Sequence, residues 1–115
     1  RGKDIRKFIN TIENTIIETL KFYNIQSFSD KKNIGIWVNY ENEKKKVAAI
    51  GIKVKKWIAY HGFSININNS LEEYKKINPC GLDNKNITTL KKIKNQNYNN
   101  ISDEVLKNFF KNFKN

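Results

Sequence analysis

The N-terminal part of the chain carries the clearest structural signal, because its apolar residues recur every three or four positions between Asp4 and Tyr23. This spacing places them along one side of an α-helix and leaves the polar residues on the other. Asp4 can cap the start of this helix, and Asn24 suits its end. The apolar side is predicted to consist of Ile5, Phe8, Ile9, Ile12, Ile16, Leu20 and Tyr23.

The middle of the chain favours β-strands, since β-branched and aromatic residues are frequent there. The polar run Glu41–Lys45 predicts a break after the first strand, and His61-Gly62 a break before the last. Gly51 lies inside an apolar run, which indicates a bulge or the close approach of another group to the backbone. The predicted strands are Ile34–Tyr40, Lys46–Val54, Lys55–Tyr60 and Phe63–Ile67.

Helical signals return towards the C-terminal end. Ser70–Tyr74 predicts a short helical turn, and Ile77–Gly81 a tight loop around Pro79. Ser102 is expected to cap a last helix with the apolar stripe Val105, Leu106, Phe109, Phe110 and Phe113. A helix, a strand meander and a helix within 115 residues predict one α+β domain, residues 1–115, with a largely antiparallel sheet.

Composition narrows the possible classes of protein. No apolar run approaches the about 18 residues of a membrane-spanning helix, and the first residues lack the apolar core of a signal peptide. Cys80 is the single cysteine, which excludes a disulfide scaffold and a multi-cysteine metal site. We therefore expect a protein of a reducing compartment.

The chain is strongly basic, with 22 Lys and Arg against 11 Asp and Glu, a formal net charge of +11. Lys, Asn and Ile, whose codons are rich in A and T, together account for 56 of the 115 residues. A biased genome with a solvated basic surface explains the charge most simply, and a basic binding surface is the alternative. Because no nucleic-acid-binding motif is present, we expect no nucleic-acid partner.

Two residues stand out chemically. Cys80 lies between Pro79 and Gly81, a setting that can present a thiol at a surface rather than bury it. A reactive thiol needs a neighbour that favours the thiolate, and His61 or one of the lysines could supply it. His61 could equally have a structural or substrate-contacting role. Trp37, Trp57, Tyr60 and Phe63 could stack on bases but are more typical of core or sheet-face positions.

Three segments, in this order, resemble the lipoyl(octanoyl) transferases. They are Lys46–Val54 (KVAAIGIKV), Trp57–Asn66 (WIAYHGFSIN) and Ile77–Gly81 (INPCG). The family patterns are K-[IV]-x-x-[IL]-G, H-G-[FL]-A-[LI]-N and P-C-G, and the 34 positions from Lys46 to Cys80 match the family spacing. The resemblance covers nearly the whole chain and is specific because the three motifs occur together.

The resemblance implies the fold of the biotin and lipoate ligase catalytic domain and an octanoyl transfer in lipoate biosynthesis. The donor would be octanoyl-acyl carrier protein, and the acceptor a lysine on lipoyl domains of 2-oxoacid dehydrogenases or on the glycine-cleavage H protein. Cys80 would carry the acyl group as a thioester, Lys46 would lower the pKa of that thiol, and His61 could contact substrate. The substrate-binding positions would be Ala49, Ile50, Gly51, Gly62, Phe63 and Ser64. No cofactor and no membrane partner is implied, and the expected location is the cytoplasm.

Two departures from the family pattern bear on these expectations. Ser64 stands where the family usually has alanine, and the chain begins after the R-G-G-x-x-x-Y-H-G-P-G-Q segment. The sequence therefore resembles the C-terminal part of an enzyme: a fragment, one of two polypeptides, or the product of a decaying gene. We expect poor solubility or incomplete activity of such a part alone. An ATP-dependent lipoate or biotin ligase and a non-catalytic basic binding module are the alternatives.

Overall fold

The computed structural model describes the backbone of residues 2–55, 58–68 and 86–114, and the side chains of residues 5–50, 63–68 and 86–113. Four strands form one sheet in the order β1-β2-β3-β4, and each strand is antiparallel to its neighbour. This arrangement confirms the α+β prediction. The elements are α1 (Gly2–Phe22), β1 (Phe28–Ser29), β2 (Ile36–Tyr40), β3 (Glu43–Lys55), β4 (Ile58–Ile65), α2 (Leu90–Ile93) and α3 (Ile101–Lys114).

Helix α1 supplies much of the core. Ile12, Ile16 and Leu20 are at most 1% exposed and pack with Ile36 and Val38 of β2. The predicted apolar side is therefore confirmed through this part of the helix. The helix begins at Gly2, so the prediction that Asp4 caps it is wrong, because Asp4 lies within the first turn.

Asn24 ends α1 in the predicted way. Its φ is +63°, in the left-handed region, and its amide donates to the carbonyl of Lys21 at 2.9 Å. The amide of Ile25 reaches back to the carbonyl of Leu20, also at 2.9 Å. These two bonds form a Schellman motif, and the buried Ile25 and Leu20 belong to the same core cluster.

The hairpin between β2 and β3 is tighter than expected. Glu41 and Asn42 both have positive φ, +51° and +66°, which is the signature of a two-residue type I′ turn. Tyr40 pairs directly with Glu43, so β3 begins at Glu43 rather than at Lys46. The polar residues 43–45 belong to the strand because they lie in its exposed end.

Strand β4 runs without interruption through His61 and Gly62, so the prediction of two strands separated there is wrong. The long strand β3 offers a pairing partner at every position from Ala48 to Lys55, and this ladder keeps β4 extended. Gly51 pairs with Gly62 in regular register, so Gly51 does not mark a bulge.

Helix α3 packs on α1 through part of the predicted stripe and through polar contacts. Val105 and Phe109 pack against the core, and the centre of the Phe109 ring lies 6.3 Å from that of Phe8 in α1. The other members of the stripe, Leu106, Phe110 and Phe113, are 54%, 58% and 62% exposed.

Polar residues complete the contact between α3 and α1. The buried Asn108 donates to the Thr19 hydroxyl at 3.1 Å. The helix turns this polar side inward because the facing surface of α1 presents threonines.

Three further predictions concern the C-terminal half. The last helix begins at Ile101, so Ser102 lies within its first turn and is not its cap. Leu90–Ile93 form α2, and the Thr89 hydroxyl at its start accepts from the Lys92 amide at 3.3 Å. Ser70–Tyr74 and Ile77–Gly81 lie outside the described residues. In the part of the chain that is described, no helix has the length and apolar character needed to cross a membrane.

The Schellman motif predicts the effect of replacing Asn24. Asn24→Ala should lower the free energy of unfolding by about 1 kcal/mol, because a Cβ without a compensating polar group is strained at positive φ. Asn24→Gly should raise it by up to about 1 kcal/mol. Urea denaturation measures both changes.

Asn14→Ala is the matched control, since Asn14 is exposed in the middle of α1. Alanine should stabilise the helix there by about 0.5 kcal/mol. If Asn24→Ala were as stable as the unsubstituted chain, the assigned role of Asn24 at the helix end would be wrong.

Candidate active site

Lys46 is held by pairing on both sides of its strand. In β2 its partner is Trp37. On the other side a single parallel bridge joins it to Ile87, and the Thr88 amide donates to the Lys46 carbonyl at 2.9 Å. The backbone of Lys46 is therefore fixed in the interior of the sheet, where the direction of its side chain is well determined.

A β-bulge decides which face of the sheet Lys46 occupies. Ile36 pairs with Ala48 and Trp37 pairs with Lys46, so Val47 is an extra residue in β3. Val47 and Ala48 are both completely buried in the core. In a regular strand Lys46 would point to the same face as Ala48. The bulge turns the lysine to the outer face, away from α1.

The ammonium of Lys46 lies beside an aromatic ring. Its Nζ is 5.2 Å from the centre of the Trp37 ring, a cation–π geometry. The side chain is half-buried, and this burial lowers the pKa of Lys46 below its ordinary value of 10.5. Among the described residues no carboxylate forms an ion pair with it. Lys46 is therefore a partly dehydrated cation that gives up its proton more readily than a free lysine.

Trp37 is itself fixed in place. It is 7% exposed, and its Nε1–H donates to the carbonyl of Asn33 at 3.0 Å. Lys44, two residues before Lys46, places its Nζ 4.8 Å from the same ring and pairs with Asp30. Bonds from Lys44, from the Lys32 amide and from Asn33 hold the pKa of Asp30 well below its usual range.

An open depression lies beside this ring on the surface of the sheet. Its volume is about 330 Å³, and it is lined by Asn33, Trp37, Glu43, Lys44 and Asn86. Analysis of the sequence alone treated Trp37 as a core or sheet-face residue. Its role beside Lys46 was missed because it depends on the register of β2 against β3, which no local pattern indicates.

The two predicted substrate-binding triplets lie directly opposite each other. Ala49 pairs with Ser64, Ile50 with Phe63, and Gly51 with Gly62. Ile50 packs against the core, whereas Ser64 is exposed. Because successive residues alternate between faces, Ala49, Gly51, Gly62 and Ser64 belong to the outer face, which Lys46 also occupies. The glycine pair leaves that face without side chains at one level of the sheet.

The segment that contains Cys80 lies outside the described residues, but both of its flanks are anchored at Lys46 and Val47. Before it, the Asn66 amide donates to the Val47 carbonyl at 2.8 Å. After it, the Thr88 amide donates to the Lys46 carbonyl. Asn66 and Thr88, which lie on either side of this segment in the sequence, thus bond to adjacent residues of β3. The backbone of His61 pairs with Ile52, and its side chain lies outside the described residues.

Comparison with known proteins gives a consistent result. A family model described as the lipoyl protein ligase A/B catalytic domain matches residues 1–114. A protein of Ehrlichia chaffeensis named Octanoyltransferase is 38% identical over 114 residues, which are 96% of this chain and 53% of that protein.

Two further relatives carry the same name. The Octanoyltransferase of Zymomonas mobilis is 43% identical over 89 residues, which are 77% of this chain and 41% of that protein. The Octanoyltransferase of Rickettsia canadensis is 42% identical over 94 residues, 81% of this chain and 45% of its own. The chain thus spans about half the length of the curated relatives that it matches.

The burial of Lys46 predicts a pH-dependent change in stability. Lys46→Met should raise the free energy of unfolding at pH 7 by about 0.5–1 kcal/mol, because it removes a charge that folding dehydrates. Between the lowered pKa and 10.5 the unfolded chain binds more protons than the folded chain, so the stability of the unsubstituted protein rises with pH there. The advantage of the methionine variant should therefore shrink towards pH 10.5.

Urea denaturation between pH 7 and pH 10.5 tests this expectation. Lys107→Met, at an exposed position of α3, is the control for the loss of one positive charge. A difference between the two methionine variants that stays constant with pH would show that folding does not perturb the titration of Lys46.

Proposed function

This chain belongs to the lipoyl protein ligase A/B catalytic domain family, and we propose that it forms the part of an octanoyltransferase in which a cysteine carries the acyl group. In this proposal Cys80 is the nucleophile that forms the thioester, and Lys46 is its partner. Octanoyl-acyl carrier protein is the donor, and a lysine of a lipoyl-accepting protein is the acceptor. The names of the relatives support octanoyl transfer as the reaction.

One observation carries the assignment of Lys46 and Cys80. The segment with Cys80 is tethered at both ends to β3, at Val47 and at Lys46. At this point the strand presents a half-buried ammonium whose pKa is lowered. Asn66 and Thr88 bond to adjacent positions of β3, and 21 residues lie between them. A connection this short favours an encounter between the thiol and the amine, since closing a short loop costs little entropy.

The first half-reaction requires a thiolate. The positive charge of Lys46 favours the ionised form of a nearby thiol and so lowers its pKa. The Cys80 sulfur attacks the carbonyl carbon of the donor thioester, and the carbon–sulfur bond to the carrier breaks. The leaving thiolate takes a proton from the Lys46 ammonium, which becomes a neutral amine. The products are octanoyl-Cys80 and the free carrier thiol.

The second half-reaction uses that neutral amine as a base. The acceptor lysine attacks the octanoyl-Cys80 carbonyl and passes its proton to Lys46 as the amide bond forms. Cys80 leaves as a thiolate, and Lys46 is again an ammonium beside it. The lowered pKa suits both steps, because Lys46 releases its proton more readily than an ordinary lysine and can take one up again. The thioester energy drives the transfer, so neither ATP nor a cofactor is needed.

The outer face of the sheet is the proposed site of the acyl chain. Ala49 and Ser64 form one cross-strand pair on this face, and Gly51 and Gly62 form another. Without side chains, the two glycines let an alkyl chain lie against the backbone. Ile50, whose cross-strand partner is Phe63, lies on the opposite face and supports these positions from the core side.

The charge of the chain suits an acidic carrier protein. Lys31, Lys32 and Lys44 are exposed, and Lys44, which lies beside the Trp37 ring, pairs with Asp30. Such a cationic surface attracts and orients an acidic partner before contact, and the attraction weakens as salt screens it. Attraction of an acidic carrier protein accounts for the basic character of the chain and requires no nucleic-acid partner.

The proposal predicts the reactivity of Cys80. Its alkylation by iodoacetamide should follow a pH midpoint below the about 8.5 of a free thiol, and Lys46→Gln should move the midpoint upwards. Since Cys80 is the single cysteine, mass spectrometry of the alkylated chain reports on this thiol alone. Lys44→Gln is the matched control, because it removes a lysine two positions away on the same strand and should have the smaller effect.

Incubation with octanoyl-acyl carrier protein tests the acyl transfer. An adduct with the mass of one octanoyl group should form on the chain and be absent from Cys80→Ala. An adduct that persists in Cys80→Ala would disprove the assignment of Cys80 as the nucleophile. In the alkylation experiment, equal midpoints for Lys46→Gln and the unsubstituted chain would disprove the assignment of Lys46 as the partner of Cys80. Transfer from free octanoate that depends on ATP would identify a ligase instead.

A further inference from the structure

We propose that Gly35 and Trp37 are positioning residues that hold the Lys46 side chain in one place on the outer face of the sheet. Gly35 precedes β2, and Trp37 lies within it, so both are on the strand that pairs with β3 at the bulge. The importance of this position for catalysis depends on the proposed function. The positioning itself does not.

Gly35 makes room for the lysine side chain. It is buried and has a φ of +138°, a backbone conformation that favours glycine. A methyl group on its Cα would lie 2.9 Å from Lys46 Cε and 3.2 Å from Lys46 Cδ. The same methyl group would lie 2.9 Å from the Ala48 carbonyl oxygen, which the strand pairing cannot move freely. The aliphatic part of Lys46 therefore passes directly over Gly35.

Trp37 receives the end of the same side chain. Its ring centre is 5.2 Å from Lys46 Nζ, and the Nε1–H bond to Asn33 keeps the indole from turning away. Lys44 approaches the ring as well, at 4.8 Å, but its ammonium is already paired with Asp30. The glycine and the indole thus contact two successive parts of one side chain, first the methylene groups and then the ammonium.

The charged surroundings of Lys46 are simple in the described structure. Strand β2 presents Trp37 and Asn39, and residues 86–88 on the other side carry no titratable group. The charged groups around the Trp37 ring in the described structure are Lys44, its partner Asp30, and Glu43. A change in the titration of Lys46 after substitution of Gly35 or Trp37 therefore reports on the placement of Lys46 and not on the removal of a charge.

The test labels lysines with acetic anhydride as a function of pH and quantifies modified Lys46 by peptide mass spectrometry. It uses the Cys80→Ala chain, which excludes thiol labelling and any effect of the thiolate. Gly35→Ala should displace the side chain into water and move the labelling midpoint of Lys46 upwards. Trp37→Leu should do the same by uncovering the ammonium, and Trp37→Phe, which keeps a ring, should shift the midpoint less.

Val38→Ala is the matched control for lost stability. Val38 follows Trp37 but is 1% exposed on the core side, so its truncation weakens the fold without contacting Lys46. It should leave the midpoint unchanged. A folded Gly35→Ala or Trp37→Leu variant with an unchanged midpoint would overturn the role of that residue, and an equal shift in Val38→Ala would overturn both.

A measurement on the unsubstituted chain covers the case in which a variant does not fold. The ring current of Trp37 should shift the Lys46 Hε resonances upfield, and cross-relaxation should connect these protons to the indole. Absence of both signals would overturn the proposal. Loss of acyl transfer alone would not overturn it. If the labelling midpoint of Lys46 shifts as expected but Lys46→Gln has no effect on Cys80 alkylation, the proposed function is contradicted and the positioning role stands.

Discussion

The extra residue Val47 in β3 determines how the rest of the molecule is arranged. Without it, alternation would place Lys46 on the same face as the completely buried Ala48, and an ammonium would enter the hydrophobic core. The cost of burying an unpaired charge there exceeds what a small domain can tolerate. With the bulge, Val47 and Ala48 both complete the core under α1, and the lysine emerges on the opposite face. One local irregularity thereby separates the apolar face from the chemical face.

The same two residues of β3 organise the connections. The carbonyls of Lys46 and Val47 accept the bonds from Thr88 and Asn66, which bracket the segment with Cys80. A displacement of the bulge would therefore move the lysine and both ends of that segment together. Because a strand holds a side chain more precisely than a loop does, the lysine keeps a fixed position relative to both flanks of that segment.

The sequence was sufficient for those parts of the fold that depend on local periodicity. The apolar face of α1, the left-handed Asn24 and the antiparallel sheet follow from residue spacing and turn chemistry. The continuity of β4 through His61-Gly62 could not be predicted, because it depends on β3 providing partners along its length. The inward face of α3 was predicted only in part, for a related reason. Val105 and Phe109 face the core as expected, but Thr15 and Thr19 of α1 also draw Asn108 and Asn112 inward.

The candidate site shows the same division. Motif resemblance predicted Lys46 and the two substrate triplets as site residues, yet nothing in the residues around Lys46 indicated the bulge, the ring of Trp37 or the space above Gly35. These features arise only when β2 and β3 are aligned, and a shift of one residue would send Trp37 to the core. Trp37 and Val38 are consecutive but face opposite sides of the sheet. Trp37 contacts Lys46 on the outer face, whereas Val38 packs in the core, so alternate positions of one strand serve the candidate site and the stability of the fold. A substitution on the outer face can therefore change the pKa of Lys46 without disturbing the packing of the core.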